Sequence, residues 1–542
     1  MSGSSYANAV IAALASFALT ALAIAAAWWW LGAAVVLPLS PLAAGKKLYC
    51  VSYAPFRAEQ TPLVEGTRVP PAQIDEDLKL LSRYANCVRT YSVDDGLDEV
   101  LESARRYGLK VLHGVWISNK AVKTRRQIAT TITLANDYSD VIAAVIVGNE
   151  VLLRGEMSAT DLMATIRAVK AQVPEPVTYA DVWEYWLRYP DVQNAVDFVT
   201  IHILPYWEDF PIPAAFAAAH VAAIRAKVAA AFPGKEIVIG ELGWPSAGRM
   251  REGARPSPVN QAHVILETLA LAERENFRVN VIEAFDQPWK RALEGAAGGS
   301  WGIFDRATGA PKFSFAGSVS DHPHWVAQAL AGIALAALAF SGAFAAGRRK
   351  GFSAYLWPRI AALAFLSGTL FGWTIETVPV ESFSIGSSLR SLAFAATAAI
   401  APVVCAVGYA AGRASPPFSE LLNGSGRRRD WLDWALGGTL IALTLLSVEA
   451  ALGLVFDPRY RDIPFAPLTA AAASFLLVAI PIPRPAEPRA VAESVAACVL
   501  ALSAGYIVLN ESFSNWQSVW LCTGLICLAF ILARARDVPS PG

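Results

Sequence analysis

The placement of apolar residues constrains this chain more than any other feature. Residues 9–38, AVIAALASFALTALAIAAAWWWLGAAVVLP, contain no charged side chain. Beyond His324 seven more apolar runs follow, at about 325–346, 353–375, 388–411, 432–456, 464–482, 490–509 and 514–533. A helix needs ~20 apolar residues to cross ~30 Å of hydrocarbon, and each run reaches or nearly reaches that length. The shortest, 464–482, is also open to a re-entrant reading. The first run is too long for a signal-peptide core and has no basic stretch before it. An uncleaved transmembrane helix is therefore expected, with a trimmed signal peptide as the alternative. The composition agrees: 55% of the 542 residues are hydrophobic and 17% are charged, too apolar for an ordinary soluble protein. Net charge is zero, which argues against a nucleic-acid partner.

The loops between the runs predict an orientation. Arg348, Arg349 and Lys350 follow the run at 325–346; Arg413 and Arg427, Arg428 and Arg429 separate the third and fourth C-terminal runs. Arg484 and Arg489 lie between the fifth and sixth, and Arg534 and Arg536 follow the last. The alternate loops, IETVPVES, FDPRYRD and NESFSNWQ, are poorer in cations. The positive-inside rule makes the first set cytoplasmic, which puts both termini inside and residues 46–321 outside the cytoplasmic membrane. The expected organisation is an N-terminal transmembrane helix and linker over 1–45, a globular domain over 46–321, and about seven transmembrane helices over 322–542.

The globular stretch alternates short apolar runs with amphipathic helical patterns. The runs are LYCVSYA, CVRTYS, KVLHGVW, VIAAVIVGNE, PVTYADVW, DFVTIHIL, EIVIGELGW and VNVIEAFDQPW. The clearest helical patterns are AQIDEDLKLLSRY, GLDEVLESARRYG and VNQAHVILETLALAEREN, and Ser158 with Asp161 reads as a capping box opening another. Eight strands alternating with helices over about 275 residues predict an α/β fold, a (β/α)8 TIM barrel, joined to an all-α multi-span region. An open doubly wound sheet is the alternative, weakened because no glycine-rich phosphate loop follows the first strand. Of the six cysteines, Cys50 and Cys87 lie in this polar part, and either a disulfide or two buried thiols fits them. No pair has CxxC spacing, which argues against a zinc or thioredoxin-like site; no metal and no cofactor is expected.

Three runs end in polar residues that are costly to bury without a purpose. These are Asn149-Glu150, Glu241, and the group Glu283, Asp286, Trp289 and Lys290. Two carboxyl groups on separate strand ends can flank one glycosidic bond, one giving a proton to the leaving oxygen and one attacking the anomeric carbon. The ordinary alternative for a glutamate at a strand end is a salt bridge or a helix cap.

The motifs narrow this choice. VGNE (147–150) and GELGWPS (240–246) resemble the two signatures of glycoside hydrolase family 17, the β-1,3-glucanase family. RTYS (89–92), ILPYWED (203–209) and FDQPWK (285–290) are similar to its motifs on the second, sixth and eighth strands, and the five stand in the family's order. The resemblance implies a barrel of the clan A glycosidase type with Glu150 as general acid/base and Glu241 as nucleophile. It also implies that Asn149 meets the sugar 2-hydroxyl, that Arg89 pairs with the nucleophile side, and that Tyr91, Tyr206 and Lys290 belong to the substrate site. Aromatic rings stack on sugar faces; among the rim aromatics Tyr53, Trp244 and Trp289 are expected at the site. Ile203-Leu204 depart from the plant form of the sixth-strand motif, and His202 is an extra titratable group. A histidine in an apolar strand is more often a satisfied core residue than a site donor.

The resemblance is to membrane-anchored bacterial relatives, which implies a multi-pass bacterial inner-membrane protein with a periplasmic catalytic domain. It further implies a β-glucan oligo- or polysaccharide substrate, membrane lipid contact and a glucan synthase as a partner. No DxD run in a loop and no QxxRW motif is present, so synthesis from a nucleotide sugar is not expected. The expected reaction is glucanosyl transfer that elongates, branches or cyclises a β-1,3-glucan. Hydrolysis is the alternative, followed by a non-catalytic glucan-binding or export role.

Overall fold

The computed structural model describes all residues except 1–2, 58–59, 306–307, 314, 351, 353–354, 423–429, 481–490 and 535–542. Arg427–Arg429, Arg484, Arg489 and Arg536, used above for orientation, thus lie outside the described residues. The chain divides into two compact units, one of Ala34–Ala247 with Gly253–Val319 and one of Met1–Ala33, Gly248–Glu252 and Ser320–Gly542.

The first unit is a closed barrel of eight parallel strands in sequential order. They are β1 (Cys50–Ser52), β2 (Cys87–Arg89), β3 (Lys110–Val115), β4 (Ile142–Asn149), β5 (Val177–Val182), β6 (Val199–His202), β7 (Ile237–Leu242) and β8 (Val279–Val281). β8 closes on β1 through the pairs Cys50↔Asn280 and Val51↔Val281. The (β/α)8 expectation holds, with one strand inside each of the eight apolar runs. Strands covered by helices on one side and packed in a barrel on the other are apolar throughout rather than alternating, and all six residues of β7 are buried. The predicted helical patterns form Pro71–Leu81, Val100–Tyr107 and Pro258–Glu275, and Ser158 caps Ala159–Lys170 by accepting from the Asp161 amide at 3.1 Å.

Part of the barrel interior gathers Cys50, Cys87, Leu112, Ala144, Ile146, Ala180 and Val238 into one buried cluster. Ala144 and Ile146 are two apart on β4, as same-facing residues of a strand must be. Within it Cys50 and Cys87 are joined as a disulfide across β1 and β2, which decides between the two readings left open above.

The second unit is built of long apolar helices. Eight helices among the described residues are long and apolar enough to cross a membrane; one of them, Ala214–Ala231, is the alanine-rich barrel helix between β6 and β7. The other seven are Tyr6–Leu31, Trp325–Arg348, Leu356–Glu381, Ile385–Ala411, Trp431–Phe456, Val491–Glu511 and Trp516–Ala533. Within the run at 464–482, whose residues 481–482 lie outside the described ones, the helix is the 15-residue Phe465–Ala479, about 22 Å long at 1.5 Å per residue.

Small residues bring two of these helices together. A Cβ on Gly332 would stand 2.4 Å from Gly368 O, and one on Gly368 would stand 2.8 Å from Gly332 O. Close backbone approach of this kind is how apolar helices associate where burial of apolar surface gives no driving force. Some polar groups in this unit find partners within it: Ser367 and Thr374 donate to carbonyls four residues back, and Glu449 pairs with Arg390 at 2.9 Å. Arg249, in the short Gly248–Glu252 segment, is buried against the Glu511 carboxylate and donates to Arg461 O at 3.1 Å.

Candidate active site

The site is assembled at the C-terminal ends of β2, β4, β6 and β7, where a barrel of this type carries its chemistry. Arg89 ends β2, Asn149 ends β4 with Glu150 next, His202 ends β6, and Glu241 is the penultimate residue of β7.

The backbone at two glycines makes this possible. Gly240 precedes Glu241, and a Cβ there would stand 2.5 Å from Thr200 Cγ2 and 3.3 Å from Arg89 Nη1. At the end of β4, Gly148 has φ +95° and Glu150 itself has φ +52°. Left-handed backbone is uncommon for a residue with a side chain and costs of order 1–3 kcal/mol, so it persists only where the surroundings hold it. Here the Glu150 amide donates to Ala180 O at 2.8 Å, the Leu152 amide donates to the Tyr179 hydroxyl at 3.0 Å, and Arg154 Nη2 donates to Asn149 O at 2.8 Å.

Arg89 is 1% exposed and organises the floor of the site. Its Nη2 donates to Asn149 Oδ1 at 2.6 Å; its Nη1 donates to Gly240 O at 2.6 Å and lies 3.3 Å from Glu241 Oε1 and 3.2 Å from His202 Nε2. The Tyr91 hydroxyl donates to Glu241 Oε1 at 2.9 Å and lies 2.7 Å from Ser52 Oγ. Burial, with the Glu241 and Glu283 charges and against that of Arg89, raises the Tyr91 pKa and keeps the hydroxyl protonated as a donor. One oxygen of Glu150, one nitrogen of His202 and one oxygen of Glu241 all lie within 4.8 Å of one another. His202 Nδ1 is 2.8 Å from Glu150 Oε1 and its Nε2 is 3.6 Å from Glu241 Oε1.

Burial pushes the Glu150 pKa up, but the His202 hydrogen bond and the charges of His202, Arg89 and Arg154 outweigh it and hold the carboxyl below its ordinary range. Next to the pair, Glu283 is pushed up to about 7, by burial first and only partly offset by Lys290. Lys290 Nζ is 3.1 Å from both Glu283 oxygens. Behind Glu150, Asp181 is pushed up to about 6, by burial ahead of its other influences.

Glu150, His202 and Glu241 would also be a set of metal ligands by residue type. The Arg89 guanidinium beside both His202 and Glu241 already supplies positive charge there, and a second cation at that point would be repelled.

The sequence-predicted residues therefore divide. Arg89, Tyr91, Asn149, Glu150 and Glu241 form one hydrogen-bonded group. Lys290 joins the adjoining Glu283 pair, and Trp289 keeps part of its ring exposed. Three aromatic expectations need correcting. Tyr206 and Trp244 are each 0% exposed, packed edge to face at 5.8 Å with Trp301 alongside, so neither offers a free face to a sugar. Tyr53 is 1% exposed and its hydroxyl donates to Asp77 Oδ2 at 3.0 Å, within the barrel core. His202 is corrected the other way: it stands between the two carboxylates rather than in the core. Ser52, Asp181 and Asn280 were not foreseen; Asn280 Nδ2 donates to Ser52 Oγ at 2.8 Å and to Gly240 O at 2.6 Å. Of these only Asp181 carried a signal, a carboxylate at the end of an apolar strand.

Residues 50–302 match the family model of the BtgE/BtgC glycoside hydrolase domain. The match lies within the barrel, and residues 303–542 lie beyond it. The chain is similar to a glucan 1,3-beta-glucosidase of Arthroderma benhamiae, 26% identical over 271 residues covering 46% of this chain and 86% of that protein. It is also similar to a probable beta-glucosidase, btgE, of Aspergillus flavus, 27% identical over 267 residues. That alignment covers 47% of this chain and 42% of the relative, so the chain spans less than half of that protein's length. Among solved structures, the glycoside hydrolase family 17 beta-1,3-glucanosyltransferase of Rhizomucor miehei aligns with 50% of this chain and 97% of its own, at 23% identity and a TM-score of 0.43.

Proposed function

We propose that the protein is a retaining β-1,3-glucan-active enzyme that cleaves a β-glucan and passes the glucosyl unit to a sugar hydroxyl. Glu241 is the nucleophile and Glu150 the general acid/base. The observation that carries this reading is the approach of their carboxylate oxygens, within 4.8 Å. Retaining enzymes hold the two carboxyl groups ~5–5.5 Å apart, whereas inverting ones leave ~6.5–9.5 Å for a water. The domain match and the name of the Arthroderma relative support a glucan substrate.

In the first step Glu241 attacks the anomeric carbon, the glycosidic bond breaks, and Glu150 gives its proton to the departing oxygen. Arg89 and Tyr91 both donate to Glu241 Oε1 and hold the carboxylate aimed at the anomeric carbon. In the second step Glu150 takes the proton of an incoming hydroxyl, whose oxygen displaces Glu241. Asn149, fixed through its Oδ1 by Arg89, presents its amide nitrogen as a donor to a sugar hydroxyl, and Lys290 and Trp289 lie on the β8 side. A sugar acceptor in place of water is favoured by the aromatic rim, where Trp116, Trp183, Trp207 and Trp289 remain partly exposed.

The barrel is read as lying outside the cytoplasmic membrane of a bacterium, with both termini inside. The Cys50–Cys87 disulfide supports an oxidising compartment, and the basic loops support the orientation. Membrane lipid and a glucan synthase are the expected partners. The test is incubation of purified protein with a linear β-1,3-gluco-oligosaccharide, with products separated by mass and linkage. Products longer than the substrate are expected. Only shorter products would leave the hydrolytic reading in place, and no turnover would favour a glucan-binding subunit.

A further inference from the structure

An amide buried in an apolar barrel wall costs free energy unless hydrogen bonds hold it. Asn280 is such a residue, fully buried on β8 between Val279 and Val281. Among the described residues its Oδ1 has no partner, so it is not placed there for stability alone. Both protons of its Nδ2 are engaged, one with Gly240 O of β7 at 2.6 Å and one with Ser52 Oγ of β1 at 2.8 Å. We propose that Asn280 and Ser52 are positioning residues for the nucleophile: they aim the Tyr91 proton at Glu241 Oε1 and leave Oε2 as the oxygen that attacks. This rests on the functional reading above.

Each step of this chain has one direction. Gly240 O can only accept, so the Asn280 atom beside it is the amide nitrogen; with the amide turned over, two acceptor oxygens would face each other at 2.6 Å. Ser52 Oγ therefore accepts from Nδ2, and its own proton goes to the Tyr91 hydroxyl oxygen, 2.7 Å away. Tyr91 in turn donates to Glu241 Oε1 at 2.9 Å. The reverse order fails. Were Tyr91 to donate to Ser52, the serine proton would have no acceptor among the described residues, because Asn280 Nδ2 can only donate.

Asn280 reaches the nucleophile by two routes. Gly240 O belongs to the peptide that enters Glu241, and Arg89 Nη1 also donates to it at 2.6 Å, so the backbone before the nucleophile is held from two sides. The second route runs through Ser52 and Tyr91 to the side chain. Among the described residues the donors to the Glu241 carboxylate are Arg89 Nη1 and the Tyr91 hydroxyl, and both meet Oε1, at 3.3 and 2.9 Å. Oε2 is the oxygen left for the anomeric carbon. When Oε2 bonds to C1, Oε1 becomes the ester carbonyl and still accepts both hydrogen bonds. No proton of the chain changes owner in either half of the reaction. Hydrogen bonds aligned in one direction polarise one another, and donors fixed in advance need no reorganisation as charge leaves and returns.

The experiment is a double-mutant cycle on the full chain: wild type, Ser52→Ala, Tyr91→Phe and the two combined. Two quantities are read. One is turnover of a linear β-1,3-gluco-oligosaccharide, and the other is the rate of glucosyl-enzyme formation with a 2-fluoro glucosyl reagent, followed by intact mass. Ser52→Ala removes the middle link and leaves the Tyr91 and Glu241 side chains in place. It should lower kcat and the rate of glucosyl-enzyme formation about tenfold while KM changes less than about twofold. In the Tyr91→Phe background the same substitution should cost less than about twofold, because Ser52 acts through that hydroxyl. Asn280→Ala should lose more than Ser52→Ala and keep part of its loss in the Tyr91→Phe background, since its backbone route remains to be lost. Ser52→Cys, close in size and a weaker donor, replaces the alanine variant in the same cycle if that variant does not fold. An equal loss from the Ser52 substitution in both backgrounds, or a loss confined to KM, would overturn the inference. A wild type inactive on every β-glucoside would instead overturn the functional reading.

Discussion

At the scale of single residues, the site depends on a few buried charges with defined partners. Replacing Glu241 by Gln should abolish turnover and prevent trapping by a 2-fluoro glucosyl reagent, measured by intact mass. Replacing Glu150 by Ala should slow turnover of oligosaccharides by several orders of magnitude, and added azide should restore glycosyl transfer as a β-glucosyl azide. Asp181 gives a pH prediction. Its folded pKa, about 6, lies above its ordinary 3.8. The folded form therefore binds more protons between these values, and the contribution of Asp181 to stability is complete below about pH 4 and lost as pH rises through about 6. The melting temperature of wild type relative to Asp181→Asn should accordingly be higher at pH 4 than at pH 7. A shift of this size corresponds to roughly 3 kcal/mol. The carboxylate pair was legible in the sequence because each member is a charge at the end of an apolar strand inside a longer motif. The facing of its neighbours was not. Tyr53 and Trp244 are close to the site in sequence, but side-chain direction at the end of a strand depends on local backbone turns that a motif does not encode.

At the scale of elements, the eight strands were readable because each is an apolar run between helical patterns, and a parallel barrel leaves no polar face to blur the signal. The left-handed turn after β4 was not readable, since Asn149-Glu150 carries no glycine at the strained position itself. The Tyr179 hydroxyl, on the Leu152 amide at 3.0 Å, is part of what holds that turn. Tyr179→Phe should therefore lower kcat with little change in KM, by about tenfold for a loss of ~1.4 kcal/mol, and a selective rise in KM would count against this role.

At the scale of the whole molecule, the alternation of apolar and mixed composition was enough to separate the barrel from the long apolar helices. Ala214–Ala231 is the one place where composition misleads, because an alanine-rich barrel helix is as apolar as a span. The disulfide ties residues 37 apart. By loop-closure entropy its removal should cost about 4 kcal/mol, so a Cys50→Ser/Cys87→Ser double variant should unfold at a clearly lower temperature than wild type, measured by thermal scanning in detergent. A barrel that melts unchanged would remove the main support for an oxidising compartment.

Arg89 has a further consequence, for how such a chain can change over evolutionary time. Its guanidinium touches Asn149, Gly240, His202 and Glu241 at once. Losing it would strand a buried carboxylate and a backbone carbonyl, which costs stability as well as activity. A lineage drifting from catalysis toward simple glucan binding is thus steered away from Arg89. The easier exit is Glu150, whose carboxyl is partly open to solvent. A descendant that kept the arginine and lost that one glutamate would keep its fold and its cleft, and only the chemistry would be gone.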